Sequence, residues 1–403
     1  MIVSGANDHV DSPGMSHLHR LRQSALAAPE SGIVAVINHA RGREGLIPLW
    51  AGEGDLPTPS FIADAAAAGL KAGETFYTWQ RGIPELREAL AGYTIKLYGR
   101  ETAAERIFVT GSGMHAIQTV VSALVGEGDE ILFVAPLWPN FAAAAGLTGA
   151  RPVEVALDFG DDGWSLDLGK LRAAIGPRTK AIFVNTPNNP TGWTASPEMI
   201  AEILSLAREH GIFVIADEIY SRFYYGGTRA PSFHDAMQDG DPLIFVNSFS
   251  KNWAMTGWRI GWIEAPATFG NLFENLIQYS NSGVAAFMQR GAVAAIEEGE
   301  PFVEMQIERA HKARDIFCNT LLATNRVQIS RPEGAFYAFF AIDGIEDGYA
   351  AAFRIADEAG VGLAPGNAFG PDTGRYLRAC FHRRLDEVEE AARRIADWIG
   401  RQG

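Results

Sequence analysis

Between residues 106 and 247 the chain alternates short apolar runs with stretches of helical periodicity. RIFVT (106–110), EILFV (130–134), KAIFV (180–184), IFVIA (212–216) and LIFVN (243–247) are apolar at nearly every position. Such runs suit strands buried on both faces, since a strand with one wet face alternates polar and apolar residues. Between the first two, MHAIQTVVSALV sets Ile117, Val120, Val121 and Leu124 at helical spacing. SPEMIAEILSLAREHG (196–211) predicts a helix with Ser196 as N-cap, Pro197 in the first turn and Gly211 as its stop. Strands separated by helices predict a mostly parallel sheet covered on both faces.

From about residue 300 the texture changes. A long amphipathic stretch, FVEMQIERAHKARDIFCNTLL, precedes VQISRPEGAFYAFFAI. The expected fold class is α/β: a large domain with a mostly parallel, helix-covered sheet, and a smaller α+β domain built from both chain ends. The boundaries read as a flexible tail over 1–20, a large domain over 61–298, and a small domain from 21–60 and 299–403. A chain of 403 residues accommodates about two domains.

Composition narrows the partners. There are 34 basic and 48 acidic residues, a net charge of -14. That balance argues against nucleic acid or an anionic membrane as the main partner. The most apolar stretch, ILFVAPLWPNFAAAAGLTGA, is broken by Pro136, Pro139 and Asn140 and does not read as a membrane span. The opening residues lack a basic region followed by an apolar one, so no secretory signal is expected. Cys318 and Cys380 form no CxxC pair and suggest buried thiols in a reducing cytoplasm. No metal site is expected, because His17 and His19 have no further ligands nearby.

Candidate chemistry gathers at the strand ends, where doubly wound sheets bind ligands. VTGSGMHA follows one strand and opens a helix. Gly111, Ser112 and Gly113 let the backbone approach a ligand, and the helix start favours a phosphate. Trp138 follows the next strand and would either stack on a planar ring or pack in the core. VNTPNNPTGW puts Asn189 in a proline-bounded turn, where it is either a turn former or an amide donor. Asp217 ends a very apolar strand, with Tyr220 three residues on. A buried carboxylate needs a partner, and a protonated ring nitrogen, a helix start or an ion pair would each serve.

Lys251 lies in SFSKNWAMTGWRIGW at the mouth of LIFVNSF. A lysine partly desolvated near other cations loses its proton more easily and can form a Schiff base with an aldehyde. Ser248 and Arg259 nearby can hold a phosphate through charge-assisted bonds. A Schiff-base lysine, an acid for a pyridine nitrogen, a stacking ring and a phosphate cup together are what pyridoxal 5'-phosphate requires.

At these residues the sequence resembles fold type I pyridoxal-phosphate enzymes of the class I/II aminotransferase family. The resemblance runs from PLWAGEGDLPTP to YLRACF and includes YTWQRGIPELREAL, NTPNNPTG, DEIY and SFSKNWAMTGWRIG. It implies that Lys251 holds the cofactor and shuttles the proton, and that Asp217 keeps the ring nitrogen protonated. It implies that Asn189 and Tyr220 bond the ring oxygen and that Trp138 stacks on the ring. Gly113 and Met114 are implied to offer backbone N–H groups to the phosphate, with Ser248 and Arg259 completing the cup. Tyr77 is implied to reach the phosphate of a neighbouring subunit, which makes a homodimer part of the site. Arg378 is implied to grip the substrate α-carboxylate, and Gly52 to lie on a segment lining the substrate pocket. The phosphate loop departs from many relatives, which carry a second glycine and a lysine where this chain reads GSGMHA. His115 is expected to pack or to face solvent.

The implied reaction is amino transfer from an amino acid to a 2-oxo acid by a ping-pong cycle. Two alternatives stand beside it. One is a carbon–sulfur β-lyase on the same scaffold, since fold does not fix reaction. The other is a non-catalytic amino-acid sensor, opposed by the acidic balance and by the short stretch before GLIPLW. Arg22, Arg81 and Arg290 are candidates for a second cation serving a dicarboxylate donor. Trp79 and QYSNSGVAAF (278–287) are candidates for an apolar wall.

Overall fold

The computed structural model describes His17, residues 20–26 and residues 32–402. Most of the tail expected over 1–20 therefore lies outside the described residues.

Seven strands form the large sheet. In spatial order they are Ile107–Thr110, Gly261–Glu264, Leu243–Ser248, Phe213–Asp217, Thr179–Asn185, Glu130–Ala135 and Arg151–Ala156. Gly261–Glu264 is antiparallel to both its neighbours, and the other four pairings are parallel. Because the two faces are both covered, successive residues serve opposite cores. Ile131 and Phe133 pack with Ile117, Val120 and Phe141 on one face. Leu132 and Val134 pack with Ile200, Ile203 and Leu204 on the other. This explains the continuous apolar runs in the sequence.

Helix ends follow the local chemistry. The helix Pro197–His210 starts at Ser196, whose side chain accepts from the Met199 N–H, and stops at Gly211 in the left-handed region. The helix Gly113–Leu124 starts at Ser112, whose Oγ accepts from the His115 N–H at 2.9 Å. Its first residue packs against the end of the strand Leu243–Ser248: a Cβ on Gly113 would lie 3.1 Å from Ser248 Cβ.

The smaller sheet is antiparallel, in the order Val327–Ile329, Tyr337–Ile342, Tyr376–Cys380 and Ala364–Pro365. A core containing Phe317, Phe340, Ile355, Val388 and Trp398 joins it to the helices Glu300–Leu322, Gly348–Glu358 and Leu385–Gly400. Near the start of the chain, Ile47–Pro48 pairs in parallel with Val361–Gly362. That pairing fixes the next residues, Trp50 to Gly52, against the C-terminal part of the chain. Gly362 leaves the room this requires: a Cβ there would sit 2.1 Å from the Trp50 ring. Among the described residues no helix is long and apolar enough to cross a membrane.

Candidate active site

A cavity of about 370 Å³ opens where the strands of the large sheet end and the residues after Pro48 cross over them. Eleven of the twelve residues singled out by sequence line it: Gly52, Gly113, Met114, Trp138, Asn189, Asp217, Tyr220, Ser248, Lys251, Arg259 and Arg378. Tyr77 does not, and its side chain is 92% exposed, so any role it has lies outside this chain's own cavity.

Three ionisable groups withdrawn from water, Asp217 and Arg378 buried and Lys251 partly so, set the electrostatics. Asp217 ends its strand and is buried, with its carboxylate accepting only a 3.3 Å bond from the Ile219 N–H. Burial, the largest cause, pushes its pKa up from 3.8 to about 7, and the neighbouring Glu218 adds to the rise. No helix begins at Asp217, so helix capping does not account for it. Lys251 donates to the Gly52 carbonyl at 2.6 Å. Burial brings its pKa down from 10.5 to about 8, helped by the charges of Arg378 and Arg259. A small change of environment therefore decides whether this amine is charged or nucleophilic.

Arg378 is the third group. Its Nη1 donates to Asn189 Oδ1 at 3.0 Å and its Nη2 to the Trp50 carbonyl at 2.5 Å. The guanidinium lies 4.6 Å from the centre of the Tyr337 ring and 4.9 Å from that of Phe369. It is nearly fully buried, its Nε has no hydrogen-bond partner, and among the described residues no carboxylate pairs with it. A buried cation without a counter-ion is costly, so this position favours an incoming carboxylate.

The neutral groups are held in defined orientations. Arg378 takes the Asn189 side-chain oxygen, which turns the amide NH₂ away from the guanidinium as a donor. The Asn189 N–H donates to Asn185 Oδ1 at 2.8 Å, and the Trp138 N–H donates to the Asn189 carbonyl at 3.1 Å. Tyr220 shares a 2.7 Å hydrogen bond with the Tyr337 hydroxyl, and burial keeps its pKa well above the ordinary phenol value.

At the opposite end of the cavity, Ser248 Oγ is engaged with Ser250 Oγ at 2.8 Å and the Ile260 carbonyl at 3.2 Å. Arg259 has φ +52°, a left-handed conformation uncommon for arginine, and Ala254 nearby has φ +51°. Gly261 lets the helix start at Gly113 approach closely. A Cβ on Gly261 would lie 2.7 Å from both the Gly113 nitrogen and the Asn247 carbonyl oxygen. The result is a cup of backbone N–H groups, hydroxyls and one guanidinium suited to a phosphate.

His115 does not line the cavity and packs partly buried beside it. Its Nδ1 accepts from the Gly111 N–H at 2.9 Å, and its Nε2 bonds Ser280 Oγ at 2.7 Å. Burial lowers its pKa, which favours the neutral ring this bonding requires. It therefore pins the phosphate-type loop to the helix Gly270–Ser280. Asn185, Ser250, Tyr337, Trp50, Ile33 and Val34 also line the cavity and were not singled out by sequence. Only Ser250 carried a local signal, as the hydroxyl next to Lys251.

The arrangement would suit a planar molecule with a basic ring nitrogen toward Asp217, an anionic group toward Gly113 and a carbonyl carbon toward Lys251. A family model for aminotransferase class I and II matches residues 44–395. The chain belongs to the class I and II aminotransferases. As a member it is a fold type I, pyridoxal-phosphate-dependent transferase of amino groups between amino acids and 2-oxo acids. It is 33% identical to a probable aspartate/prephenate aminotransferase of Aquifex aeolicus, over 87% of this chain and 90% of that one. The aspartate aminotransferase structure from Thermotoga maritima superposes with a TM-score of 0.89 at 27% identity, covering 94% of this chain and all of the other. An aromatic aminotransferase from Pyrococcus horikoshii superposes with a TM-score of 0.83 at 30% identity, covering 91% of this chain and 99% of the other.

Two predictions follow from the geometry of this aminotransferase. Gly261→Ala forces backbone apart at the phosphate cup. It weakens cofactor binding by roughly tenfold or more, read by titrating the cofactor-free protein and following absorbance. Unchanged affinity would show that the close approach at Gly261 does not support the cup. For Asp217, the folded cofactor-free chain retains a proton between pH about 4 and about 7 that the unfolded chain has released. This group's contribution to stability is therefore complete below pH about 4 and falls as pH rises toward 7. Asp217→Asn removes that fall, so the stability gain of the variant over wild type grows across this window in denaturant unfolding of cofactor-free protein. Parallel pH profiles for the two proteins would rule the buried carboxyl out as the source.

Proposed function

We propose that the amino group passes through this cavity in two half-reactions, with Lys251 as the covalent anchor of the cofactor and the carrier of the transferred proton. The observation that carries this reading is that one cavity is lined by an amine on the edge of deprotonation and by a buried guanidinium with no counter-ion among the described residues. Pyridoxal 5'-phosphate, when bound, supplies the carbon that accepts the amino group and a ring that draws electrons from the breaking bond.

The chain's own residues divide the remaining work. Asp217 would keep a proton on the ring nitrogen, a charge pair that would offset the cost of burying its carboxylate. The Asn189 NH₂ and the Tyr220 hydroxyl would bond the ring oxygen, and Trp138 would stack on the ring. Gly113 and Met114 would give N–H groups to the phosphate, with Ser248 and Arg259 beside them. Arg378 binds the substrate α-carboxylate, and the Gly52 carbonyl receives Lys251 whenever its amine is free. Held there as a neutral amine, Lys251 Nζ takes the proton from the substrate α-carbon and returns it on the other side of the transfer.

We read residues 61–298 as the cofactor-binding domain, and 21–60 with 299–403 as the smaller domain. The two sheets with separate cores and the pairing of Ile47–Pro48 with Val361–Gly362 support this division. The working form is taken to be a cytoplasmic homodimer, with Tyr77 crossing to the phosphate cup of the other copy. The exposure of Phe76 at 84% and Tyr77 at 92% supports a partner surface there. The two cysteines are free and buried, in keeping with a reducing compartment.

Lys251→Ala lowers turnover by roughly a thousandfold or more while the fold and non-covalent cofactor binding persist. Steady-state transamination and the cofactor absorption band read the two effects separately. Wild-type turnover in this variant would refute the role given to Lys251. Mixed dimers test the shared site. Co-refolding Lys251→Ala and Tyr77→Ala chains in equal amounts recovers about a quarter of wild-type activity, because about half of the dimers are mixed and each of these has one site with both groups. Recovery does not occur if Tyr77 serves its own chain.

A further inference from the structure

The substrate end of the cavity has a chemical character that the common reaction does not dictate. Arg378 fixes where the α-carboxylate goes, and the residues touching Arg378 lead to the adjoining wall. Trp50 gives Arg378 its carbonyl, and Phe369 lies against the guanidinium. The Leu137 N–H donates to the Phe369 carbonyl at 2.9 Å, which sets the Leu137 side chain in the same corner. Ile33 and Val34, from the helix Gly32–Ala40, complete the lining there, and Val34 is half exposed at the mouth. These side chains are all apolar.

The charges that could answer a second carboxylate are committed elsewhere. Among the described lining residues the cations are Lys251, Arg259 and Arg378, each already employed. Arg81 is bound by Glu274 at 2.8 Å. Arg290 is bound by Glu74 at 2.9 Å and Glu85 at 2.8 Å. Arg22 donates to the Leu147 carbonyl at 3.2 Å. None of the three lines the cavity. Trp79 is likewise held outside, with its Nε1 donating to Glu274 at 3.1 Å.

We propose that the amino donor carries an uncharged apolar side chain, seated against Ile33, Val34, Trp50 and Leu137, rather than a second carboxylate. The proposal rests on the transaminase reading and departs from the aspartate named for several relatives. A distal carboxylate would enter an apolar corner without a compensating charge, whereas an aliphatic or aromatic side chain removes apolar surface from water on both sides.

The test uses the holoenzyme and single donors without any oxo acid, following conversion of the cofactor to its aminated form by absorbance. Leucine or phenylalanine is expected to react with a kcat/KM at least roughly tenfold above that of aspartate. Aspartate reacting as fast or faster overturns the proposal. No conversion by any donor overturns the transaminase reading and the proposal with it, an outcome distinct from an aspartate preference. Val34→Arg places a cation at the exposed edge of the same wall. It shifts the ratio toward aspartate by roughly tenfold. An unchanged ratio in this variant overturns the placing of the side chain against this helix.

Discussion

Withdrawal of three ionisable groups from water at one edge of the large sheet is the constraint on which the rest of this structure depends. Asp217, Lys251 and Arg378 each give up solvation, a cost of several kcal/mol per ion in proteins generally. Their hydrogen bonds to Ile219, Gly52, Asn189 and Trp50 return only part of that cost. The chain holds them anyway because the strands beneath are apolar on both faces and the residues after Pro48 lie across the opening. Ligands complementary to these charges bind the folded chain and not the unfolded one, so occupancy and stability are linked.

That constraint explains how the charged groups acquire their chemistry. Asp217 is pushed toward the neutral acid and Lys251 toward the free amine by the same desolvation, which disfavours both charges and so moves the two pKa values in opposite directions. Asn189 connects the two ends of the reaction. Its oxygen is fixed by the arginine that faces the substrate, and its amide NH₂ is thereby oriented by the same contact. Tyr220 and Tyr337 remain protonated at any ordinary pH and act as hydrogen-bonding groups rather than bases.

Much of this was legible along the chain because the responsible signals are local. Strands buried on both faces read as unbroken apolar runs, and Ser196 and Gly211 mark their helix by side-chain capping and left-handed backbone. Asp217 and Lys251 stand out because an ionisable residue ends an apolar strand or follows it closely. What was not legible depends on pairs far apart in sequence. Trp50 meets Arg378 through a carbonyl, a group every residue carries, so its side chain gives no hint. Tyr337 sits in an apolar strand and looks like core until its hydroxyl meets Tyr220. Ile33 and Val34 look like an ordinary amphipathic helix face. Arg81 and Arg290 look like free cations until Glu274, Glu74 and Glu85 fold against them. His115 shows the same limit at short range, since four residues of spacing do not reveal that its ring caps the Gly111 N–H.

The stretch from Trp50 to Gly52 reaches two cations of the site through main-chain oxygen atoms. One holds the guanidinium of Arg378 and the other holds the amine of Lys251. Both are positioned by strand pairing at Ile47–Pro48 rather than by side-chain chemistry. Gly52 is fixed by space, because a Cβ there would lie 2.6 Å from the Tyr337 hydroxyl, and Trp50 is fixed by its packing over Gly362. Ala51 is under neither restriction. Diversification of the pocket wall is thus separated from preservation of the reaction: residues at this one step of the chain can be exchanged during evolution or in a designed library while both carbonyls stay where they are.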